Sequence, residues 1–236
     1  INKTFDTAER YLTSYLGNYK EFTLPCRCVS EEPQWNWTLS GINTYEDFEL
    51  LEDLLVRSQR QNLVQQGAYL ENSSTIVVKG SVSVSPGVKI IGPCVLEGPL
   101  TLEAGTIISP FSIVKSSHLG PKTTLESFCL VERSVIGTSN KLGPFLRTRH
   151  NVKTGDGVQL GNFLEIKNST IGTDTKIKHF GYIGDRYIGS HCNIGAGVIF
   201  CNYDGKQKHT TTIGDHVFVG AASQFVAPLD IGNQSY

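Results

Sequence analysis

The stretch VSPGVKIIGPCVLEGPLTLEAGTIISPFSIV, residues 84–114, carries an aliphatic side chain at every sixth position: Val84, Ile90, Leu96, Leu102, Ile108 and Val114. Small or apolar residues follow four positions after the first five of these, at Val88, Cys94, Leu100, Thr106 and Ser112. An amphipathic helix repeats its apolar residues at spacings of three and four, and a half-buried strand alternates with period two. A period of six fits neither. It fits a chain wound into coils of three short strands, with each aliphatic residue turned to the axis and glycine or asparagine taking the sharp corners.

Beyond Val114 the pattern meets its first exception at His118, slips by one residue, and resumes at Leu119, Leu125 and Val131. It returns at Ile171, Ile177 and Ile183, at Ile188, Ile194 and Phe200, and at Ile213, Val219, Phe225 and Ile231. Three hexads make a coil of about 18 residues, and neighbouring coils should stack about 4.8 Å apart through parallel ladders. The span from Val84 to Ile231 predicts roughly eight coils.

Upstream, Thr44 with Asp47 three residues on starts a helix, Phe48, Leu51, Leu54 and Leu55 mark an apolar stripe, and Gly67 can end it. This predicts a helix over 44–66. Before it lie a weakly helical stretch from Thr7 to Leu16 and an irregular Cys26–Trp37 segment that holds both tryptophans. A solenoid end left bare invites edge pairing, so these residues are expected to cap the coils. The domain reading is thus a segment 1–40 of unassigned role, a linker-like helical stretch 41–67, and a β-helix domain 68–236.

Composition sets the outer bounds. The 236 residues are 39% hydrophobic, with 21 Lys plus Arg against 22 Asp plus Glu. A real core is affordable at that size, and no strong overall field draws the chain to nucleic acid or an anionic membrane. Apolar runs fall far short of the roughly 20 residues that span a bilayer, and no charged-then-apolar leader opens the sequence, so a cytoplasmic location is expected. The six cysteines, Cys26, Cys28, Cys94, Cys129, Cys192 and Cys201, form no C-x-x-C pair, and four sit at or beside apolar repeat positions. They read as free thiols. No methionine is present, and the N-x-[ST] sequons, such as Asn36-Trp37-Thr38, lack a secretory route to use them.

The hexads break in two places. One runs from Gly161-Asn162-Phe163-Leu164-Glu165-Ile166-Lys167 to Lys178-His179-Phe180-Gly181-Tyr182-Ile183-Gly184-Asp185. The other joins Asn193-Ile194-Gly195-Ala196-Gly197 to Cys201-Asn202-Tyr203-Asp204-Gly205-Lys206-Gln207-Lys208, where a loop interrupts the period before Ile213. Loops inserted in a solenoid usually line its binding face.

These motifs, written G-N-F-x-E-x-K, K-x-x-H-x-x-Y-x-G-D, N-I-G-A-G and C-N-Y-D-G-x-x-K, closely resemble the acetyltransferase half of the bifunctional bacterial glucosamine-1-phosphate acetyltransferase and N-acetylglucosamine-1-phosphate uridyltransferase family. The resemblance runs from about Gly41 to Ile231 and is only general in the earlier hexads. It implies a left-handed parallel β-helix, a homotrimer with active sites between chains, and transfer of an acetyl group from acetyl-CoA to the amine of glucosamine 1-phosphate on the route to UDP-N-acetylglucosamine. The uridyltransferase half has no counterpart in the sequence, since no glycine-rich phosphate loop with a following Arg opens it.

Acetyl transfer to an amine needs a base, donors for the thioester oxyanion and cations for the phosphate, and it needs no metal. An imidazole titrates near neutral pH, and His179 matches the family's catalytic histidine. Glu165, fourteen residues earlier and so near one coil's length, is expected to orient it. The resemblance assigns Arg149, Lys167 and Lys208 to the phosphate and sugar, Tyr182 and Asn193 to the sugar, and Ala196, Asn202, Tyr203 and Ala221 to acetyl-CoA. Backbone N–H groups near Gly195 and Gly197 are expected to face the thioester. Taken singly, each charged residue reads as solvated surface and the histidine as structural; their joint membership in the motifs outweighs that reading. Ala221 stands where the family commonly has serine, and the sequence stops short of the family's basic C-terminal arm, so cofactor affinity is the weakest point of the resemblance.

Three rival readings remain. A non-catalytic β-helix scaffold would not need the intact set Arg149, Glu165, Lys167, His179, Tyr182, Asn193, Asn202 and Lys208. A zinc carbonic anhydrase on this fold pairs two histidines five residues apart, and His118, His150, His179, His191, His209 and His216 contain no such pair. An acetyltransferase for another amino-sugar phosphate, such as galactosamine 1-phosphate, differs only in a hexose epimer that sequence does not distinguish.

Overall fold

The structure, a computed structural model, describes residues 43–236. The expected helix from Thr7, the Cys26–Trp37 segment, the proposed cap and the thiols of Cys26 and Cys28 lie outside the described residues.

Helix α1, Tyr45–Gln65, begins with the reciprocal cap that the sequence suggested. The Asp47 N–H donates to Thr44 Oγ1 at 3.1 Å, and Asp47 Oδ2 accepts from the N–H of Thr44 at 2.9 Å and of Asn43 at 3.0 Å. Its end falls at Gly67, whose φ of +96° suits glycine and lets Ala68 donate back to the Leu63 carbonyl at 3.0 Å. The expected apolar stripe is corrected: Phe48 and Leu55 are exposed, and Leu63 alone is buried on this helix. Among the described residues, those up to Leu55 fall in one unit and those from Val56 onward in another. Within the second unit Arg60 donates to the carbonyls of Ser73 and Ser74 at 3.1 and 3.0 Å, and Gln66 Oε1 accepts from the Val84 N–H at 2.8 Å. The last turns of α1 are thereby pinned to the first coil.

From Tyr69 the chain winds through three parallel sheets of nine strands each. The first sheet runs from Tyr69–Glu71 to Phe218–Val219, the second from Ile76–Lys79 to Gln224–Val226, and the third from Val82–Val84 to Leu229–Ile231. Nine coils replace the expected eight, because the winding starts ahead of the Val84 hexads. One coil leads from Ile107 to Thr124, the next from Thr124 to Lys141 and the next from Lys141 to Gln159, so the step shifts slightly where a corner gains a residue. The predicted inward residues form one core: Ile90, Leu96, Leu102, Ile108, Val114, Leu119, Leu125 and Val131 are all 0% exposed. Each such side chain contributes about 1.5–3 kcal/mol by leaving water. Polar residues that enter the interior find carbonyls, as when Thr123 Oγ1 donates to Gly137 O at 2.9 Å and Thr175 Oγ1 to Gly189 O at 2.7 Å.

Cys94, Cys129 and Cys192 are buried free thiols and Cys201 is a half-buried one. Burial pushes Cys94 up to about 12 and Cys129 up to about 11, so neither supplies a thiolate near neutral pH. No helix among the described residues is long and apolar enough to cross a membrane.

Candidate functional site

The second sheet carries most of the candidates on its outer surface. Leu164 and Ile166 face the core and Glu165 and Lys167 face out, as strand alternation requires. Glu165 lies between Arg147 of the coil before and Tyr182 of the coil after, and Lys167 between Arg149 and Gly184. The outer surface therefore stacks Arg149, Lys167, Glu165 and Tyr182 within two coil steps.

At one edge of this sheet, where the first sheet turns into the second, a single corner column forms. Ile177 pairs with Ile194 and Ile194 with Val219, so His179, Ala196 and Ala221, each two residues later, occupy the same corner in three successive coils. Gly161 makes room for it, since a Cβ there would collide with the Lys178 carbonyl just before His179. The His179 imidazole is exposed and has no hydrogen-bond partner among the described residues. In the four preceding coils the next position of this corner, that of Phe180, holds Phe111, Phe128, Phe145 and Phe163, all in left-handed backbone and stacked ring on ring with centroids 4.9–5.0 Å apart. Phe180 breaks the column. It leaves the left-handed region, and its ring lies against Gly197 of the next coil.

Of the N–H groups near Gly195 and Gly197, the glycines' own are engaged. The Gly195 N–H donates to Val219 O at 2.9 Å and the Gly197 N–H to Phe180 O at 2.8 Å, so both are engaged in holding coils together. The N–H groups of Ala196 and Ala221, between and beside them, bond to no carbonyl among the described residues.

At the other edge, where the second sheet turns into the third, cations gather. Arg149 Nη1 donates to Glu165 Oε1 at 2.9 Å, and that carboxylate holds the guanidinium above its ordinary pKa. Glu165 thus partners Arg149. The expected Glu165–His179 contact is absent among the described residues, because one coil here leads from Glu165 past His179 to Tyr182. The Lys208 ammonium stands next to Lys167 and lowers the Lys167 pKa, by contact and by charge, ahead of any effect of burial. Tyr182 lies across its own strand over Gly184, where a Cβ would collide with its hydroxyl, and so leans toward this edge.

Lys208 reaches the site through an inserted hairpin. The coil step from Asn193 to Phe218 is longer than the step from Lys176 to Asn193 before it, and the hairpin is the excess. Tyr203 and Lys208 close it with an antiparallel bridge, and Asp204 Oδ1 accepts from the N–H groups of Lys206 and Gln207, both at 2.7 Å. Asp204 Oδ2 meets His209 Nε2 at 2.8 Å. Beneath the hairpin the Asn202 side-chain amide donates to Asp185 Oδ2 at 2.5 Å, and Asn168 donates to Asp185 Oδ1 at 2.7 Å. Asp185 is thus a shared anchor between coils, a role that its place in the motif did not reveal.

Asn193 lies on the outer surface of the first sheet, beside Lys176 and Phe218. It borders an open cavity of about 670 Å³ lined by Gln159, Asp174, Lys176, Lys178 and His191. Asn193 and Lys208 therefore sit on different faces of one coil stack.

No protein-family model matches the chain. Curated relatives do. The bifunctional protein GlmU of Aromatoleum aromaticum is 38% identical over 229 residues, which is 96% of this chain and 50% of that protein. GlmU of Acinetobacter baumannii strain ACICU is 38% identical over 205 residues, covering 87% and 45%, and that of Stenotrophomonas maltophilia is 41% identical over 193 residues, covering 82% and 42%. The chain spans about half the length of the curated relatives it matches. It is a homologue of one half of GlmU.

Proposed function

From this kinship with half of GlmU, we propose that the coil domain from residue 68 onward is an acetyltransferase that moves an acetyl group from acetyl-CoA to the amine of glucosamine 1-phosphate, in UDP-N-acetylglucosamine synthesis in the cytoplasm. The observation that carries the reading is the second sheet's outer surface: a histidine corner at one edge and three cations at the other.

Each requirement of the reaction then has a residue. Arg149, Lys167 and Lys208 take the phosphate dianion, which relieves the repulsion between the two lysines, and Glu165 holds Arg149 in place. Tyr182 and Asn193 contact the sugar. His179 accepts the proton that the amine sheds as its nitrogen bonds to the acyl carbon. Acetyl-CoA supplies an activated thioester, whose C–S bond breaks in the same exchange. The free N–H groups of Ala196 and Ala221 suit its oxygen, with Asn202 and Tyr203 alongside. Ala221 keeps this donor without a hydroxyl.

We propose a homotrimer with sites between chains. Outward side chains on neighbouring faces of a three-sided coil diverge, so Asn193 and Lys208 of one chain do not converge on one small sugar. The column Phe111, Phe128, Phe145 and Phe163, 44–63% exposed and ending beside the His179 corner, is an apolar stripe suited to a second copy.

The test is to incubate the purified chain with acetyl-CoA and a panel of amino-sugar phosphates and follow release of the CoA thiol. Release with glucosamine 1-phosphate supports the reading. Release with galactosamine 1-phosphate alone changes the substrate, and no release with any member overturns the function. A monodisperse, active monomer in light scattering would overturn the trimer.

A further inference from the structure

Two ammonium groups standing together repel, so something must hold Lys208 against Lys167 before a phosphate arrives. The hairpin's own bonds do not do this, because they fix its shape and leave its placement on the coils open. Asn202 ties the hairpin's first foot to Asp185, and the foot that carries Lys208 is tied through Arg186, which sits in the third sheet next to Thr211, the residue at which the chain re-enters that sheet. Its Nη1 donates to the carbonyl of His209, the residue after Lys208, at 2.9 Å, and to the carbonyl of Asp185 at 3.0 Å. One guanidinium thus ties the foot of the hairpin to the corner that carries Lys167.

Arg186 is an odd occupant of its position. The same inward column holds Val82, Leu100, Ser117, Ser134, Val152 and Ser169 in earlier coils, small or apolar residues that fit the interior. Arg186 is 4% exposed, lies over the Phe200 ring at 5.3 Å, and pairs with no carboxylate among the described residues. Its Nε and Nη2 find no partner there either. A buried charge without a counter-ion costs stability, and an apolar side chain would pack this column at lower cost. A residue kept for packing alone would not be arginine.

We propose that Arg186 is a positioning residue for the phosphate clamp, holding Lys208 beside Lys167 through the His209 carbonyl. The inference rests on reading Arg149, Lys167 and Lys208 as an anion site, and it goes beyond that reading by naming what assembles the site.

The experiment compares wild type with Arg186→Met and Lys208→Ala on three readouts: inorganic phosphate affinity by calorimetry, trypsin nicking after Lys206 and Lys208, and melting temperature. In Arg186→Met, phosphate affinity should fall roughly tenfold, the scale of one lost charge-assisted contact. Nicking should quicken several-fold, and melting temperature should hold or rise. The double variant Arg186→Met, Lys208→Ala should bind phosphate no more weakly than Lys208→Ala alone, since both remove the same cation from the site. Unchanged affinity and nicking in Arg186→Met would overturn the inference. So would a lowered melting temperature with unchanged phosphate affinity in the folded fraction, which is the mark of a purely structural arginine. If Arg186→Met does not fold, Arg186→Lys is read instead: it keeps the charge and a donor, and should restore most of the wild-type phosphate affinity. None of these readouts needs turnover. A wild type that binds phosphate but transfers no acetyl group sinks the proposed function and leaves the role of Arg186 standing.

Discussion

The coils up to Phe163 and those after it share an interior and differ in almost everything outside it. Leu125, Val131 and Leu142 in the earlier coils and Ile177, Ile183 and Phe200 in the later ones are all 2% exposed or less. Outside, the earlier coils repeat: their steps stay nearly equal, from Ile107 to Thr124 to Lys141 to Gln159, and their corner phenylalanines stack in a column. The later coils drop that column at Phe180, insert a hairpin, press two lysines together and bury an arginine. A solenoid permits this because inward residues and the backbone ladders stack the coils, so outward side chains and corners vary without disturbing the winding. Stability and chemistry are therefore written on different positions of the same strand, and each can be removed while the other stays.

The largest expected effect tests the chemical side. His179→Ala should lower turnover by about 10²- to 10⁴-fold, the usual worth of a positioned proton acceptor, with CoA affinity nearly unchanged. Because His179 is exposed and bonded to nothing among the described residues, melting temperature should not move. Wild-type turnover in the folded variant would refute the base assignment. The mirror experiment lies in the earlier coils: Leu125→Ala should cost about 2–5 kcal/mol of stability, because the coils above and below cannot close the cavity. Turnover per folded molecule should stay at the wild-type level. If thermal unfolding is unaltered while turnover falls, the separation of the two roles is wrong.

How far the sequence could be read follows the same division. The inward residues were legible because they obey a period that survives both interruptions, and the cap Thr44–Asp47 because its partners are three residues apart. Outward contacts were not, since neighbours there are a whole coil apart and a coil's length depends on its corners. A spacing of fourteen put Glu165 beside His179, whereas the real step is longer, puts it beside Tyr182 and frees it for Arg149. Lys208 is placed by a hairpin whose closure no period predicts. The apolar stripe Phe48–Leu55 was a true pattern in which Phe48 and Leu55 stay exposed and Leu51 and Leu54 are half-buried. Arg186 did leave a signal, a charge in a column of small and apolar residues, visible once the column is aligned by coil.

A smaller effect concerns the clamp on the later coils. Lys208→Ala should raise the Michaelis constant for the sugar phosphate by about 10- to 150-fold, the range for one charged hydrogen bond of about 1.5–3 kcal/mol, and leave that for acetyl-CoA nearly unchanged. It should also remove the like charge beside Lys167, whose ammonium would then return toward the ordinary lysine value. Equal rises in both Michaelis constants would detach Lys208 from the phosphate.

The smallest effect asks whether the hairpin is set before any substrate binds. The Asp204 carboxylate is held below the usual range first by the Gln207 N–H, then by the His209 ring and the Lys206 N–H. A carboxyl group whose pKa is lower in the folded protein lends stability above the unfolded value, near 3.9, and that stability is lost as pH falls through the folded value. The amide resonances of Lys206 and Gln207 should therefore hold their positions as pH is lowered past about 3.9 and shift only in stronger acid. Asp204→Asn keeps an acceptor for both amides but loses the charge facing His209, so its effect on the phosphate Michaelis constant should stay within about threefold, as for an exposed ion pair. Amides that titrate near the value of a free aspartate would mean that the hairpin is loose in the absence of substrate, and that the cluster of Lys167 and Lys208 forms only when an anion draws the two together.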